Sequence, residues 1–297
     1  MNRTEIETKV TDAVIARLEQ GVAPWRRPWT TAGWLPTSVA TGKPYRGINT
    51  LLLSAVAEQA GYETPLWATF RQIDNLGGRV IKGEKATPIV FWKILRKEED
   101  AAGKKVVSTI PLMRYFNVFN IAQTEGVDLP PRFNTEREPV EVLDGVKSVV
   151  DGYVEGPTLE HVAQGRAFYR PSEDRVVLPT LEQFETAEGY AETLFHEFTH
   201  STGHKSRLDR FGADNAEFGC EGYAKEELVA EMGAALLAAT TGVNISLDNA
   251  ASYVGNWLST LKDDRSLIIK AAQQAQKAVD RITGYDPAAE AEKEKAA

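Results

Sequence analysis

The residues best placed to do chemistry form the run His196-Glu197-Phe198-Thr199-His200. On an α-helix, residues four apart lie one turn above each other, so His196 and His200 present two imidazoles on one face to a single ion. Glu197 lies beside that site, and in zinc hydrolases such a glutamate takes a proton from water that the ion has made acidic. The run therefore predicts a divalent-metal site with Glu197 as the catalytic base.

A catalytic zinc site usually has three protein ligands and one open position, so a third ligand is required. The stretch 196–203 resembles the longer metzincin signature up to its glycine, but Ser206 stands where that family places its third histidine. His204 continues the four-residue spacing, although Gly203 is expected to end the helix and turn His204 away. A three-histidine site is therefore disfavoured.

The better third ligand is acidic and comes from the next predicted helix. Glu227 and Glu231 share one face of that helix, so Glu227 can reach the metal while Glu231 accepts a hydrogen bond from a ligand histidine. This resembles the gluzincin arrangement. Glu231 or Glu226 remains an alternative ligand, and a solvated acidic face on an amphipathic helix is the alternative to a metal site.

Three tyrosines flank these elements, and zincins often use a phenol to stabilise an oxyanion. They are Tyr169, Tyr190 and Tyr223. A tyrosine half-buried in a core is the commoner arrangement, so none of them is assigned a role.

The elements that position these residues follow from the hydrophobic pattern. We predict helices near 138–152, 184–203, 223–241 and 249–283. Short strands are predicted near 157–170 and 174–178, with a turn at 171–173. The second strand, Arg175 to Leu178, is interpreted as the sheet edge along the active-site cleft of a zincin fold.

The first part of the chain has a different pattern, which predicts an α+β domain. Apolar residues indicate helices near 48–60 and 66–76, and the segments 86–95 and 106–120 flank a charged tip, as in a long hairpin. Residues 22–47 are rich in proline and tryptophan and are interpreted as an ordered aromatic loop. Residues 121–140 lose periodicity and are the predicted linker.

Charge divides the chain in the same place. Residues 1–130 carry 17 Lys and Arg against 13 Asp and Glu, a net charge of +4, whereas the remainder carries 17 against 29, or −12. We therefore divide the chain into domains at 1–130 and 131–286, followed by a disordered tail at 287–297. The single cysteine, Cys220, cannot form an internal disulfide, and no segment has the length of a membrane helix, so we expect a cytoplasmic protein.

Cations and aromatic residues alternate in the first domain, as in surfaces that bind single-stranded nucleic acid by stacking and phosphate contacts. The candidate DNA-binding residues are Trp25, Arg26, Arg27, Trp29, Tyr45, Arg46 and Arg71. Tryptophans at proline-rich turns are more often core residues, so composition alone is a weak signal.

The whole chain resembles the ArdC family of antirestriction proteins from conjugative plasmids. The first part is similar in Tyr45-Arg46-Gly47-Ile48-Asn49, in 77–85 and in Tyr115-Phe116-Asn117-Val118-Phe119-Asn120. The second part is similar in 174–179, in 196–200 and in 226–231. The resemblance implies a single-stranded-DNA-binding domain followed by a zincin-like metallopeptidase domain of gluzincin type.

The implied function is protection of incoming DNA from host restriction endonucleases, with Zn²⁺ as the cofactor and Mn²⁺ or Co²⁺ as alternatives. Single-stranded DNA is the implied partner, and a restriction endonuclease or other protein is a hypothetical substrate. Two other functions stay open: a cytoplasmic zinc metallopeptidase without a DNA role, and a DNA-binding module whose metal only stabilises the fold.

Overall fold

The computed structural model describes residues 3–19, 35–101, 104–133, 142–211, 221–243 and 251–290. Its helices are α1 (Arg3–Leu18), α2 (Ile48–Ala60), α3 (Phe70–Asn75), α4 (Val142–Gly152), α5 (Ala187–Ser201), α6 (Glu221–Thr241), α7 (Ala251–Asp263) and α8 (Leu267–Thr283). Its strands are β1 (Thr37–Ser38), β2 (Leu66–Ala68), β3 (Arg79–Val80), β4 (Thr87–Ala101), β5 (Lys104–Asn120), β6 (Thr124–Glu125), β7 (Thr158–His161), β8 (Phe168–Arg170) and β9 (Arg175–Leu178). None of the helices in these parts is long and apolar enough to cross a membrane.

The long hairpin predicted in the first part is confirmed as β4 and β5, which pair antiparallel in a sheet of order β1-β2-β5-β4. Pairing continues to Ala101 and Lys104, so the charged segment predicted as the tip is mostly strand. Ladder hydrogen bonds join backbone groups and do not require apolar side chains. The predicted helix 66–76 is also shorter, because β2 occupies 66–68 and Thr69 then caps α3 with a capping box to Gln72.

The predicted linker is partly folded. Ile121, Val127, Leu129 and Phe133 pack against a small core under β2 and α3, and β6 pairs with β3 in a separate two-stranded sheet, so residues 121–133 belong structurally to the N-terminal part. Residues 134–141 lie outside the described residues, and the domain boundary near residue 130 stays a prediction.

The second sheet has the order β7-β9-β8, with β7 parallel and β8 antiparallel to β9. The strand Arg175–Leu178, which the sequence placed at the sheet edge, is therefore the central strand. Val176 and Leu178 are fully buried, since this strand has a neighbour on each side and α5 against it. The antiparallel edge strand is β8 instead.

The helices of the second part differ from prediction in one place. The segment predicted as a single helix over 249–283 is two helices, α7 and α8, separated at residues 264–266. The Asp264 carboxylate accepts hydrogen bonds from the backbone N–H of Ser266 (2.8 Å) and its hydroxyl (2.6 Å), which replaces the helical pattern locally. Residues 287–290 are helical, in contrast to the predicted disordered tail, and 291–297 lie outside the described residues.

One hydrophobic core joins the two parts of the chain. It contains Val10 and Val14 of α1 and Val90 and Met113 of the hairpin, together with Leu261 of α7 and buried residues of α4, α5, α6 and α8. Helix α1 is also tied to the loop after α7, where the Thr11 hydroxyl donates to the carbonyl of Arg265 at 2.5 Å. The N-terminal helix therefore packs with the C-terminal helices although it is distant from them in sequence.

Candidate metal centre

Helix α5 carries both histidines of the motif near its C-terminal end. It begins after Thr186, whose hydroxyl accepts from the backbone N–H of Gly189, and ends at Ser201. His196 and His200 lie one turn apart, with their Nε2 atoms 3.0 Å from each other and their rings nearly perpendicular. Glu197 is buried on the same turn, with 8% of its surface exposed.

Helix α6 supplies the third group. A carboxylate oxygen of Glu227 lies 3.5 Å from His196 Nε2 and another lies 3.4 Å from His200 Nε2. The three ligand atoms of this set are within 4.8 Å of one another. Atoms bound to zinc at ~2.0–2.1 Å in a tetrahedral arrangement lie roughly 3.3 Å apart, so the residues fit a single divalent ion.

Further carboxylates face the remaining imidazole nitrogens. Glu226 Oε1 lies 3.4 Å from His200 Nδ1, and Glu231 Oε1 lies 3.9 Å from His196 Nδ1. Glu226 is held by Arg210, whose guanidinium donates to both of its oxygens at 2.6 and 3.1 Å. Thus Glu227 alone of the three acidic candidates lies between the two Nε2 atoms, while the other two lie behind the histidines.

Arg210 also fixes the end of α5. Its guanidinium donates to the carbonyl of Thr199 (2.8 Å) and to the hydroxyl of Thr202 (2.5 Å). The same side chain therefore joins the last turn of the histidine helix to the acidic helix. Sequence reasoning did not find Arg210, because it lies in a loop ten residues after His200 with no periodic relation to the motif.

The pKa values reflect this ring of acids around two imidazoles. Burial opposes the charged form of His200, but hydrogen bonds to Glu226 and Glu227 outweigh it and raise the pKa of His200. Burial likewise opposes the charged form of Glu227, yet its hydrogen bonds to His196 and His200 hold its pKa well below the usual range. Without metal the cluster therefore keeps a proton on the imidazoles and none on Glu227, and a metal ion must displace that proton.

The two helices can approach closely because residue 233 is a glycine. A methyl group on Gly233 would lie 2.3 Å from Cγ2 and 2.5 Å from Oγ1 of Thr199, inside the motif itself. Any side chain at 233 would therefore push α6 away from α5. A glycine within a helical pattern was the available sequence signal for this contact.

His204, the weaker ligand candidate, is directed away from the cluster. Its Nδ1 lies 2.7 Å from the hydroxyl of Ser206 and 4.0 Å from Asp174. The backbone leaves the helix after Ser201, as the position of Gly203 predicted. His204 is not part of the group formed by His196, His200 and Glu227.

The flanking tyrosines have other partners. The hydroxyl of Tyr169 donates to Asp174 at 2.8 Å, and that of Tyr190 lies 3.0 Å from His161 Nε2. The side chain of Tyr223 lies outside the described residues. Tyr169 and Tyr190 thus have hydrogen-bond partners outside the cluster of His196, His200 and Glu227.

The candidate DNA-binding residues that the structure describes differ in their surroundings. Tyr45 is half-buried against the core under α2, and Arg46 pairs with Asp280 of α8 and stacks on Tyr285, with its guanidinium carbon 4.5 Å from the ring centre. Arg71 is exposed on α3. Trp25, Arg26, Arg27 and Trp29 lie outside the described residues.

The fold and the site define a class: a zincin-like metallopeptidase domain, with a His-His-Glu cluster that could hold a metal ion, joined to an α+β N-terminal part. Residues 154–274 match the family model described as a zincin-like metallopeptidase. Residues 4–119 match the N-terminal domain of the anti-restriction factor ArdC.

Two solved structures of the antirestriction protein ArdC from plasmid R388 are similar over nearly the whole chain. The metal-free one is 38% identical with a TM-score of 0.74 and covers 93% of this chain and 96% of its own. The Mn(II)-bound one is 36% identical with a TM-score of 0.75 and covers 96% and 98%. The chain belongs to the ArdC antirestriction family, which confirms the resemblance and the α+β, zincin-like fold class.

Three further proteins are similar to nearly the whole of this chain in sequence. Two DNA primases TraC of Escherichia coli are 35% and 37% identical and match 93% and 94% of this chain. The chain spans only 20% and 27% of their length. Protein y4eC of Sinorhizobium fredii is 35% identical over 93% of this chain and 91% of its own.

Proposed function

We propose that this protein binds incoming single-stranded plasmid DNA in the cytoplasm and protects it from host restriction endonucleases, and that its second part is a metal-dependent peptidase. The proposal depends above all on the cluster of His196, His200 and Glu227 in a chain of the ArdC family. The net charge of +4 in residues 1–130 and −12 thereafter fits one part that meets DNA and one that does not.

In the proposed peptidase site, His196, His200 and Glu227 hold one ion, which when bound polarises a carbonyl group and makes water acidic. Glu197 follows directly after the first ligand histidine on α5. We assign Glu197 as the general base that takes a proton from the attacking water and returns it to the amine leaving group. Glu197 is 8% exposed, so the protein encloses most of this residue.

We assign zinc as the ion because two imidazoles and one carboxylate form a common ligand set of catalytic zinc. Mn²⁺ and Co²⁺ fit the same donors, and one of the similar ArdC structures contains Mn(II). A protein substrate is proposed to be a basic one, such as a host restriction endonuclease, because the second part is acidic. Metal quantified in the protein as purified from cells tests the choice of ion.

The test of the function is a matched pair of variants measured in vitro and in conjugation. Glu197→Gln removes the base but keeps size and the metal ligands, whereas Glu188→Gln alters a carboxylate in the first turn of the same helix as a control. For each protein we would measure single-stranded against double-stranded DNA affinity, bound metal, and survival of transferred plasmid in a restricting recipient.

The wild-type protein is expected to prefer single-stranded DNA, bind about one metal ion per chain and raise plasmid survival. Loss of protection in Glu197→Gln alone, with metal retained, supports a catalytic role. Protection that survives Glu197→Gln removes peptidase chemistry from the function and leaves DNA binding. Absence of DNA binding by the wild type overturns the DNA part of the proposal.

A further inference from the structure

Two large aromatic side chains are exposed side by side on the hairpin of the N-terminal part. Phe91 of β4 is 58% exposed and Phe116 of β5 is 41% exposed. Their ring centres are 6.4 Å apart and the rings are nearly perpendicular, at 81°. Neither residue was among the DNA-binding candidates chosen from the sequence.

Strand register places a cation on the same face. Phe91 is directly opposite Arg114, and Ile89 is directly opposite Phe116, so Phe91, Arg114 and Phe116 lie on one side of the ribbon. Arg114 is exposed and has no ion pair among the described residues. By contrast, Arg46 forms an ion pair with Asp280 and stacks on the ring of Tyr285.

The rest of this face explains why the two rings are left open. On each strand, the next residue of this face toward the base of the hairpin is buried. These residues are Ile89 and Val118, which pack with Leu53 of α2 and Trp67 of β2. The opposite face of the hairpin packs into the shared core through Val90 and Met113. Helix α2 thus covers the base of the face, and the aromatic pair begins where that cover ends.

The charges near the pair are suited to a nucleic acid. The positions on this face from 87 to 91 and from 114 to 118 include no acidic residue. Lys82, Glu84 and Lys85, which precede β4, are all exposed, so this segment adds one net positive charge at the base of the hairpin. Strand β4 is the last strand of its sheet, and the Asn49 amide pairs with the outward backbone groups of Val90 at 2.7 and 2.8 Å, so a ligand would reach the two rings from the face of the hairpin.

The geometry points to a base-stacking platform for single-stranded DNA formed by Phe91 and Phe116, with Arg114 contacting the phosphate backbone. The assignment rests on the proposed DNA-binding function and locates it on the hairpin. Each exposed ring offers a flat apolar face to an unpaired base, whereas bases in a duplex are already stacked and cannot use it. The platform therefore favours single strands without reading sequence.

The experiment uses the full chain and a fluorescently labelled single-stranded oligonucleotide of mixed sequence, with affinity measured by anisotropy. Phe91→Leu and Phe116→Leu, alone and together, keep apolar side chains on the strands but remove the rings. We expect each to weaken binding by about 5- to 150-fold, which is the range of ~1–3 kcal/mol per stacked base. Leu143→Ala, which truncates an exposed apolar residue on α4, is the matched control and should bind as the wild type does.

Arg114→Gln gives an independent measurement. If Arg114 contacts a phosphate, the slope of log affinity against log salt should decrease by roughly 0.7, the value for one contact with a single strand. The same change at Arg79, an exposed arginine paired with Glu125 at 2.6 Å, should leave the slope unchanged. Unfolding temperature and sedimentation of every variant are compared with those of the wild type.

The outcomes separate the platform from the proposed function. Wild-type binding with unchanged affinity in both leucine variants overturns the platform and leaves DNA binding intact. Failure of the wild type to bind removes both. A change in oligomeric state without a change in DNA affinity identifies the pair as a contact between copies of the chain and also overturns the platform.

Discussion

At the scale of residues, each histidine of the metal cluster meets a carboxylate on both ring nitrogens. Glu227 lies near both Nε2 atoms, while Glu226 and Glu231 lie 3.4 and 3.9 Å from the two Nδ1 atoms. A carboxylate hydrogen-bonded behind a ligand histidine fixes the ring and its tautomer and raises its basicity, and Glu226 is within that distance of His200 whereas Glu231 is farther from His196. Arg210 adds a further layer, because it orients Glu226 and neutralises part of the acidic charge.

Substitution of Arg210 should therefore lower metal affinity without removing a ligand. We expect Arg210→Met to weaken Zn²⁺ and Mn²⁺ binding by about 10- to 100-fold, the usual cost of losing an outer partner. Isothermal titration of the metal-free protein measures this directly. Arg79→Gln, which breaks an exposed pair with Glu125, is the control. Equal metal affinity in Arg210→Met and the wild type would show that Glu226 needs no partner.

Asp174 and Arg207 form a second residue-scale feature, which ties the loop after α5 to the sheet. The side chain of Arg207 is only 1% exposed. Its guanidinium donates hydrogen bonds to both carboxylate oxygens of Asp174 and to the carbonyl of Ser201. Burial opposes ionisation of Asp174, but hydrogen bonds from Arg207 and Tyr169 outweigh it and hold the pKa of Asp174 below its usual range. The pair thus stabilises the folded state only while Asp174 is charged.

The contribution of this pair to the free energy of unfolding depends on pH. Because the folded pKa is lower than the unfolded value of ~3.9, the contribution is complete above that value and is lost as pH falls through the folded pKa. We expect Asp174→Asn to lower the free energy of unfolding at neutral pH by about 2 kcal/mol, less than a fully buried pair because Asp174 is partly exposed. Asparagine also tolerates the positive φ of 47° at this position.

Urea unfolding at neutral pH and below pH ~4 tests this prediction, since ~3.9 is where an unfolded aspartate protonates. The difference between wild type and Asp174→Asn should shrink on acidification. Glu125→Gln, in an exposed ion pair, serves as the control and should change little at either pH. A difference that is constant with pH would contradict the assigned role of the charge.

At the scale of elements, the site depends on how closely α5 and α6 pack. Glu227 reaches the histidines only because Gly233 lets α6 approach Thr199. We expect Gly233→Ala to cost about 1–3 kcal/mol through overpacking, and to weaken metal binding because Glu227 moves away. Thermal unfolding and metal titration of the same sample measure both effects.

Gly152→Ala is the matched control for this substitution. Gly152 ends α4, and a methyl group there meets nothing within 4 Å. It should be neutral or slightly stabilising, since alanine restricts the unfolded chain. If Gly233→Ala behaves like Gly152→Ala, the close approach of the two helices is not needed for the site.

At the scale of the whole molecule, the two family regions share one core. Helix α1 and the hairpin contribute buried residues to the same cluster as α5, α6 and α8, and Arg46 pairs with Asp280 across the two regions. Their stabilities should therefore be coupled. A fragment ending at residue 130 would expose the apolar faces of α1 and the hairpin, so DNA binding is best measured on the full chain.

We expect a single unfolding transition in which both regions participate. Excess metal at 100 times its Kd should add ~2.7 kcal/mol to the free energy of unfolding, and should slow hydrogen exchange in β4 and β5 as well as in α5 and α6. Exchange measured with and without metal tests this. If metal slowed hydrogen exchange only in α5 and α6, the two regions would unfold independently.

Local patterns in the sequence were sufficient to predict the helical motif 196–200 and most elements. The four-residue spacing of His196 and His200 places them on one face of any helix, and the acidic run 226–231 offered Glu227 for the same reason. The hairpin and α2 followed from apolar periodicity. The split between α7 and α8 was missed, because the Asp264 side chain competes locally with a helical pattern that continues on both sides.

Only the tertiary structure decided which groups meet across elements. The packing of helices decides that Glu227, rather than Glu226 or Glu231, lies between the two Nε2 atoms. It also brings the guanidinium of Arg210 to Glu226. The packing of strands makes β9 a central strand rather than an edge strand. Likewise, Arg46 faces α8, whereas Phe91 and Phe116 face solvent. Spacing along the chain fixes which residues share a face of one element, but the partner of that face is set by long-range packing, which leaves no periodic trace in the sequence.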